Sequence, residues 1–130
     1  MRTLLRCAAA ACWMLTIYAL SSVPGSMLGA ATFWSVLLQK IGHVVLFGVL
    51  SVLYLRVFMA FSSEPAVQGI RPFLLSLGAT VVYALSDEFH QMLVPGRIAS
   101  WKDVLLDAAG AVLFLSLFHG MTRIYRDRMR

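Results

Sequence analysis

Charged side chains are scarce in this chain of 130 residues, which has 11 Lys and Arg and 6 Asp and Glu, or 13% of its residues. A soluble domain has about 25% charged residues, and a domain this small exposes a large share of its surface. Hydrophobic residues make up 60% of the chain. This composition excludes intrinsic disorder, which requires high charge and low hydrophobicity. It also argues against a soluble enzyme, so we predict a single-domain integral membrane protein.

Cysteine is scarce as well, with only Cys7 and Cys12 in the whole sequence. A helix places residues five apart on different faces, which argues against a disulfide between them. The sequence contains no CxxC or Cys/His ligand pattern of a zinc site. We therefore expect no cofactor.

The basic residues lie mostly near the two ends of the chain. Arg2 and Arg6 come first, and the last eight residues include Arg123, Arg126 and Arg128. A net charge of +5 would be compatible with nucleic-acid binding. Basic ends that flank apolar segments are instead typical of membrane anchors on the cytoplasmic side. We predict membrane lipids, not nucleic acid, as partners.

Four apolar stretches predict four membrane spans, at about 4–22, 41–61, 72–90 and 101–121. The first follows two arginines, as in a signal peptide, but we interpret it as a retained span because the rest of the chain is equally apolar. Residues 27–38 predict a short interfacial or re-entrant segment, and residues 62–71 predict a polar loop. The predicted fold class is all-α, an integral membrane four-helix bundle that forms one domain over 1–130.

The distribution of Lys and Arg predicts the orientation of this bundle. Four spans place both termini on one side. On the opposite side the sequence has only Lys40, Arg97 and Lys102. The positive-inside rule therefore predicts that both termini are cytoplasmic.

The remaining polar side chains gather at one depth, on the side opposite to the termini. Helical rotation places residues 87, 88, 90 and 91 on an arc of about 160°, with Phe89 on the opposite face. Charged groups that face lipid are costly, so we expect these side chains to turn inward and to pair. The predicted site consists of Lys40, His43, Asp87, Glu88, His90, Gln91, Arg97, Asp103 and Asp107.

Two local motifs accompany this cluster. Val94-Pro95-Gly96-Arg97 predicts a type II turn, which would return Arg97 toward Asp87 and Glu88. Ser100-Trp101-Lys102-Asp103 matches a capping box at the start of the fourth span, and this would give Asp103 a purely structural role.

These motifs resemble those of the VanZ-like family of small bacterial membrane proteins. The resemblance covers about 21–110, and DE-x-HQ followed by PGR is its most specific part. Gln39 and Asp107 depart from the family pattern, which often has Asp and Asn there. The motifs are Ser21-Ser22-x-Pro24, Lys40-x-x-His43, Asp87-Glu88-Phe89-His90-Gln91, Pro95-Gly96-Arg97, and Asp103 with Asp107 and Gly110.

The resemblance implies a cell-envelope protein of the bacterial cytoplasmic membrane. The family's namesake is associated with low-level resistance to teicoplanin, a lipid-tailed glycopeptide, but no established reaction accompanies the family. We therefore expect a site that binds or modifies a lipid-linked envelope intermediate or another amphiphile such as a lipoglycopeptide. A small proton-coupled exporter and a structural partner in an envelope complex remain alternatives.

The chemistry of the side chains gives each predicted site residue a role. Arg97 and Lys40 suit an anionic headgroup. A salt-bridge network without function and a metal site of His43, His90, Glu88 and Asp107 are the competing interpretations. The catalytic candidates are Glu88, His90, Asp87 and His43. The substrate-binding candidates are Arg97, Lys40, Gln91, Asp103 and Asp107.

Overall fold

The computed structural model describes residues 1–29, 32–61 and 70–129, apart from the side chain at 126. This part of the chain is helical and contains no β-strand. It folds as a four-helix bundle, which confirms the predicted fold class. The α-helices are α1 (Arg2–Ser21), α2 (Phe33–Phe61), α3 (Ile70–Gln91) and α4 (Trp101–Arg128), and a 3-10 helix (Gly25–Leu28) follows α1.

Residues 27–38 were predicted to form one short interfacial or re-entrant segment, but the described residues of this range belong partly to the 3-10 helix and partly to α2. Only the 3-10 helix is separate, whereas α2 begins about two turns before the predicted span. Thr32 caps this earlier start, because its Oγ1 accepts a hydrogen bond from the backbone N–H of Ser35 at 3.2 Å. Most of the predicted loop at 62–71 lies outside the described residues.

Among the described residues, α1, α2 and residues 101–125 of α4 are long and apolar enough to cross a membrane. The fourth helix, α3, carries Arg71 and Pro72 at its start and the polar DE-x-HQ motif at its end. The chain is therefore a membrane protein, while a fourth crossing by α3 stays a prediction.

Helix α2 is the centre of the bundle and packs against each of the other three helices. It lies close to α4 at Gly110, where a Cβ atom would come within 2.6 Å of the backbone oxygen of Val44. Only glycine permits this approach of the two backbones, as in many membrane helix pairs. The close α2–α4 contact fixes the distance between the polar residues near their adjoining ends.

The distribution of polarity is inverted relative to a soluble protein. Ser76, Thr80 and Asp107 are almost completely buried, whereas many leucines of all four helices are exposed. The hydroxyl of Thr80 donates to the backbone oxygen of Ser76 at 2.8 Å, which satisfies it without water. Polar groups thus turn inward and apolar groups face the surroundings, as expected in lipid.

Candidate functional site

A cavity of about 630 Å³ lies at one end of the bundle, where α1 and α3 end and α2 and α4 begin. This volume is within the range of ligand sites, about 300–1,000 Å³. We call it the polar cavity. Six of the nine predicted site residues line it: Lys40, His43, Asp87, Gln91, Arg97 and Asp103.

Asp87 of α3 is buried, and neutral groups hold its carboxylate. Its Oδ2 accepts hydrogen bonds from Ser21 Oγ at 2.9 Å and from Gln91 Nε2 at 2.8 Å. Gln91 reaches it because residues four apart share one face of a helix. In the described part of the chain, Lys40 forms an ion pair with Asp103, and His43 is hydrogen-bonded to Asp107. Asp87 thus has no cationic partner there.

Lys40 of α2 forms an ion pair with Asp103 in the first turn of α4. The Lys40 side chain is 38% exposed, whereas that of Asp103 is 10% exposed. An ammonium group has three N–H donors, so this pair leaves donors for a ligand. This ion pair agrees with the prediction that Lys40 and Asp103 belong to one polar cluster.

The predicted capping box of Ser100 and Asp103 is not formed. The backbone N–H of Ser100 donates instead to Glu88 Oε2 of α3 at 2.7 Å. The carboxylate of Glu88 therefore accepts the hydrogen bond that the capping box assigns to Asp103, because Asp103 is paired with Lys40. Glu88, a catalytic candidate, is buried at the start of α4 and does not line the polar cavity.

His43 and Asp107 form a buried dyad between α2 and α4. His43 Nδ1 lies 3.1 Å from Asp107 Oδ1, and the two residues are 8% and 1% exposed. Because a carboxylate only accepts hydrogen bonds, the imidazole donates through Nδ1, and in the neutral imidazole Nε2 is then the acceptor nitrogen. His43 lines the cavity, whereas Asp107 lies behind it. This arrangement suits an imidazole that takes up or releases a proton at Nε2.

The type II turn at 94–97 is confirmed. Gly96 has a φ of 75°, and the N–H of Arg97 donates to the backbone oxygen of Val94 at 3.1 Å. Arg97 lines the same cavity as Asp87, but it forms no ion pair with Asp87 or Glu88, all three of which are described residues. Its Nε and Nη2 donate to the backbone oxygens of Val23 and Leu20, each at 3.1 Å. Leu20 lies in the last turn of α1 and Val23 follows this helix, and backbone oxygens at the C-terminal end of a helix carry partial negative charge that attracts a guanidinium.

The turn also contacts the loop after α1 through its backbone. The N–H of Gly25 donates to the backbone oxygen of Pro95 at 3.0 Å. A Cβ atom on Gly25 would lie 1.9 Å from the backbone oxygen of Gly96, so a side chain cannot be accommodated there. The two loops are thereby joined above the polar cavity.

His90 lies apart from the other catalytic candidates. Its Nε2 is 3.0 Å from Ser22 Oγ, and its ring centre is 4.4 Å from that of Tyr18. It does not line the polar cavity. Within the described residues, no three His, Cys, Asp or Glu side chains are arranged to hold a metal ion. The metal alternative built on His43, His90, Glu88 and Asp107 therefore has no geometric support.

Two residues acquire specific contacts that the sequence did not predict. Ser21 and Ser22 had appeared only as part of the family motif, yet they bind Asp87 and His90. The motif was the only signal for these contacts, because a serine at the end of an apolar span is otherwise unremarkable in the sequence.

Comparison with the curated proteins and with the solved structures gives no significant match. The model of the VanZ/LLP1 family matches residues 7–123, nearly the whole chain. The matched range includes the polar cavity and the turn at 94–97. The chain belongs to the VanZ/LLP1 family.

Proposed function

We propose that the polar cavity binds the headgroup of an amphiphilic molecule of the bacterial cell envelope. The observation that carries this proposal is the composition of the cavity wall. Asp87, Lys40 and His43 meet there with apolar side chains such as Leu20 and Leu28. A mixed wall in a membrane protein suits a ligand with a polar head and an apolar tail.

The headgroup is expected to be both donor and acceptor of hydrogen bonds. Asp87 has a carboxylate that no cation neutralises among the described residues, so it favours a hydroxyl or amine of the ligand. Lys40 retains donors beside its pair with Asp103, and these favour a phosphate or carboxylate. A lipid-linked envelope intermediate or a lipoglycopeptide has both kinds of group.

The proposal assigns the cavity to the extracytoplasmic side of the cytoplasmic membrane, with both termini in the cytoplasm. The basic chain ends support this orientation through the positive-inside rule. A reporter that works in the cytoplasm should be active when it is fused after the last residue, and a reporter that works only outside the cytoplasm should be inactive there. Activity at this position of a reporter that works only outside the cytoplasm would contradict the proposed orientation.

Chemical modification of the bound headgroup is the second candidate function, because His43, which is held by Asp107, lines the same cavity. In this case His43 Nε2 takes up a proton from a hydroxyl or amine of the ligand. A His43→Gln variant that still binds ligand but yields no product would separate this function from binding alone.

Asp87→Asn tests the binding proposal with little change of shape, and Asp127→Asn is its charge-matched control at an exposed site outside the cavity. In a host that lacks its own copy, we expect Asp87→Asn to abolish the protein's effect on teicoplanin susceptibility at unchanged membrane abundance. Asp127→Asn should retain the effect. Equal effects of the two variants would overturn the role of the cavity in this phenotype.

A direct readout uses a cysteine at Gln39, which lines the cavity and is exposed. Cys7 and Cys12 are first replaced by serine. Teicoplanin, or a polyprenyl phosphate in vesicles, should slow alkylation of this cysteine about tenfold in the parent and not in the Asp87→Asn background. Undiminished alkylation with both probes would refute headgroup binding for these two classes.

A further inference from the structure

A second concave site lies at the opposite end of the bundle, between the start of α1 and the end of α2. Its volume is about 270 Å³. It is too large for a single ion, since one water molecule takes up about 30 Å³ in the liquid. We call it the arginine groove. It is lined by Arg2, Leu5, Arg6, Ala9, Leu53 and Arg56.

The charges of the arginine groove are all of one sign. Three guanidinium groups line it, no carboxylate is among its lining residues, and none of its arginines is in an ion pair within the described part of the chain. Guanidinium groups remain charged at any physiological pH. Their mutual repulsion increases where water is partly excluded, as at a membrane surface. An anion bound among these groups would reduce this repulsion.

One arginine is fixed in position by the backbone of the neighbouring helix. Arg6 Nη1 donates to the backbone oxygen of Arg56 at 3.2 Å, near the end of α2. This bond uses one of five N–H donors and leaves the others for a ligand. Arg2 and Arg56 are exposed and border the same groove. Guanidinium N–H donors of several arginines thus border one groove, and such donors bind phosphates through paired hydrogen bonds.

The other lining residues of the groove are aliphatic. Leu5 is 64% exposed, and Ala9 follows it on the same face of α1, with Leu53 opposite on α2. A small hydrophilic anion gains nothing from such residues. An anion that is attached to a glycerol and acyl chains fits both the arginines and the leucines. Basic pockets between membrane helices are known to hold anionic lipid headgroups in this way.

We propose that the arginine groove binds the phosphate of an anionic phospholipid, with the glycerol portion against Leu5 and Leu53. This site is separate from the polar cavity, and the proposal does not depend on the ligand of that cavity. It assigns these arginines a specific ligand in addition to their general role at the membrane surface.

The experiment is a lipid titration of the purified full chain in detergent, followed by native mass spectrometry. The test variant is Arg2→Gln with Arg56→Gln, which leaves the Arg6 hydrogen bond intact because its acceptor is a backbone atom. The control is Arg71→Gln with Arg123→Gln, which removes the same charge from exposed positions outside the groove. Circular dichroism checks that both variants are folded.

We expect the parent and the control to retain phosphatidylglycerol about tenfold better than phosphatidylcholine, and the test variant to lose this preference. Equal loss in the test and control variants would overturn the groove in favour of general surface charge. Inorganic phosphate is added as a competitor. Displacement of the lipid by millimolar phosphate would overturn the lipid assignment, whereas persistence of the lipid supports it.

Discussion

Charged side chains are arranged differently at the two ends of the bundle. At the polar cavity, acidic groups are paired with groups of a neighbouring helix, as in the Lys40–Asp103 ion pair and the His43–Asp107 hydrogen bond. At the arginine groove, three positive side chains meet without a carboxylate among the lining residues. The first arrangement ties helices together from within, whereas the second depends on its surroundings. The comparison indicates that charge at one end contributes to the fold and charge at the other is available for the membrane.

This difference predicts how each end responds to substitution. Removal of one partner of a buried pair leaves the other partner unsatisfied, which is strongly destabilising. Substitution of an exposed arginine usually changes stability by less than about 0.5 kcal/mol. Three predictions compare the stability of the two ends, two of them at charged or titratable side chains and one at a loop contact, each measured as the free energy of unfolding in mixed micelles with increasing SDS.

The largest loss of stability is expected for His43→Phe, about 3 kcal/mol, because Asp107 is then buried without its partner. The double variant His43→Phe with Asp107→Leu should recover part of this loss, since it removes both polar groups. His119→Phe, a partly exposed histidine in the last third of α4, is the control and should have little effect. A double variant as unstable as the single one would show that the dyad itself is not the cause.

Gly25→Ala is expected to have an intermediate effect, a loss of about 2 kcal/mol, because the added Cβ atom would collide with the backbone oxygen of Gly96. Gly78→Ala is the control, since nothing lies within 4 Å of a Cβ atom at that position of α3. Alanine favours a helix over glycine, so this control should be neutral or slightly stabilising. If the two variants behave alike, the loops at the cavity end are not in close contact.

The smallest effect is expected for Arg56→Gln at the other end. The side chain is exposed, and the bond from Arg6 is to the backbone of this residue, so the loss should be less than about 0.5 kcal/mol. Lipid-free micelles are required for this measurement, because a bound lipid would add its own stabilisation. A loss similar to that of His43→Phe would remove the proposed contrast between the two ends.

Much of the fold follows from apolar patterning alone. Long runs without charge predict helices in the membrane, and all four predicted spans correspond to α-helices. The start of α2 was predicted too late, because residues 27–38 were interpreted as a separate interfacial or re-entrant segment, whereas Thr32 caps a helix that begins at Phe33. The same residue types, such as Thr and Ser, occur both at helix caps and in loops, so only the backbone geometry distinguishes the two.

Six of the nine predicted site residues line one cavity, but most of the contacts that they form were not predicted. Helical geometry correctly brought Lys40, His43 and Asp87 to one cavity. It did not predict that Arg97 would bind the end of α1 or that Glu88 would cap α4. Those contacts involve backbone groups that every residue has, so no sequence motif identifies them.

The joined loops have a consequence for how a ligand would reach the polar cavity. At this end, the hydrogen bonds from α1 and its loop run to α3 and the turn after it, through Ser21, Ser22 and Gly25. The α1–α2 bond from Trp13 Nε1 to the oxygen of Leu46 lies further along the helix. The apolar tail of the proposed amphiphile would therefore lie along the seam between α1 and the first turns of α2, where Leu20 and Val36 line the wall.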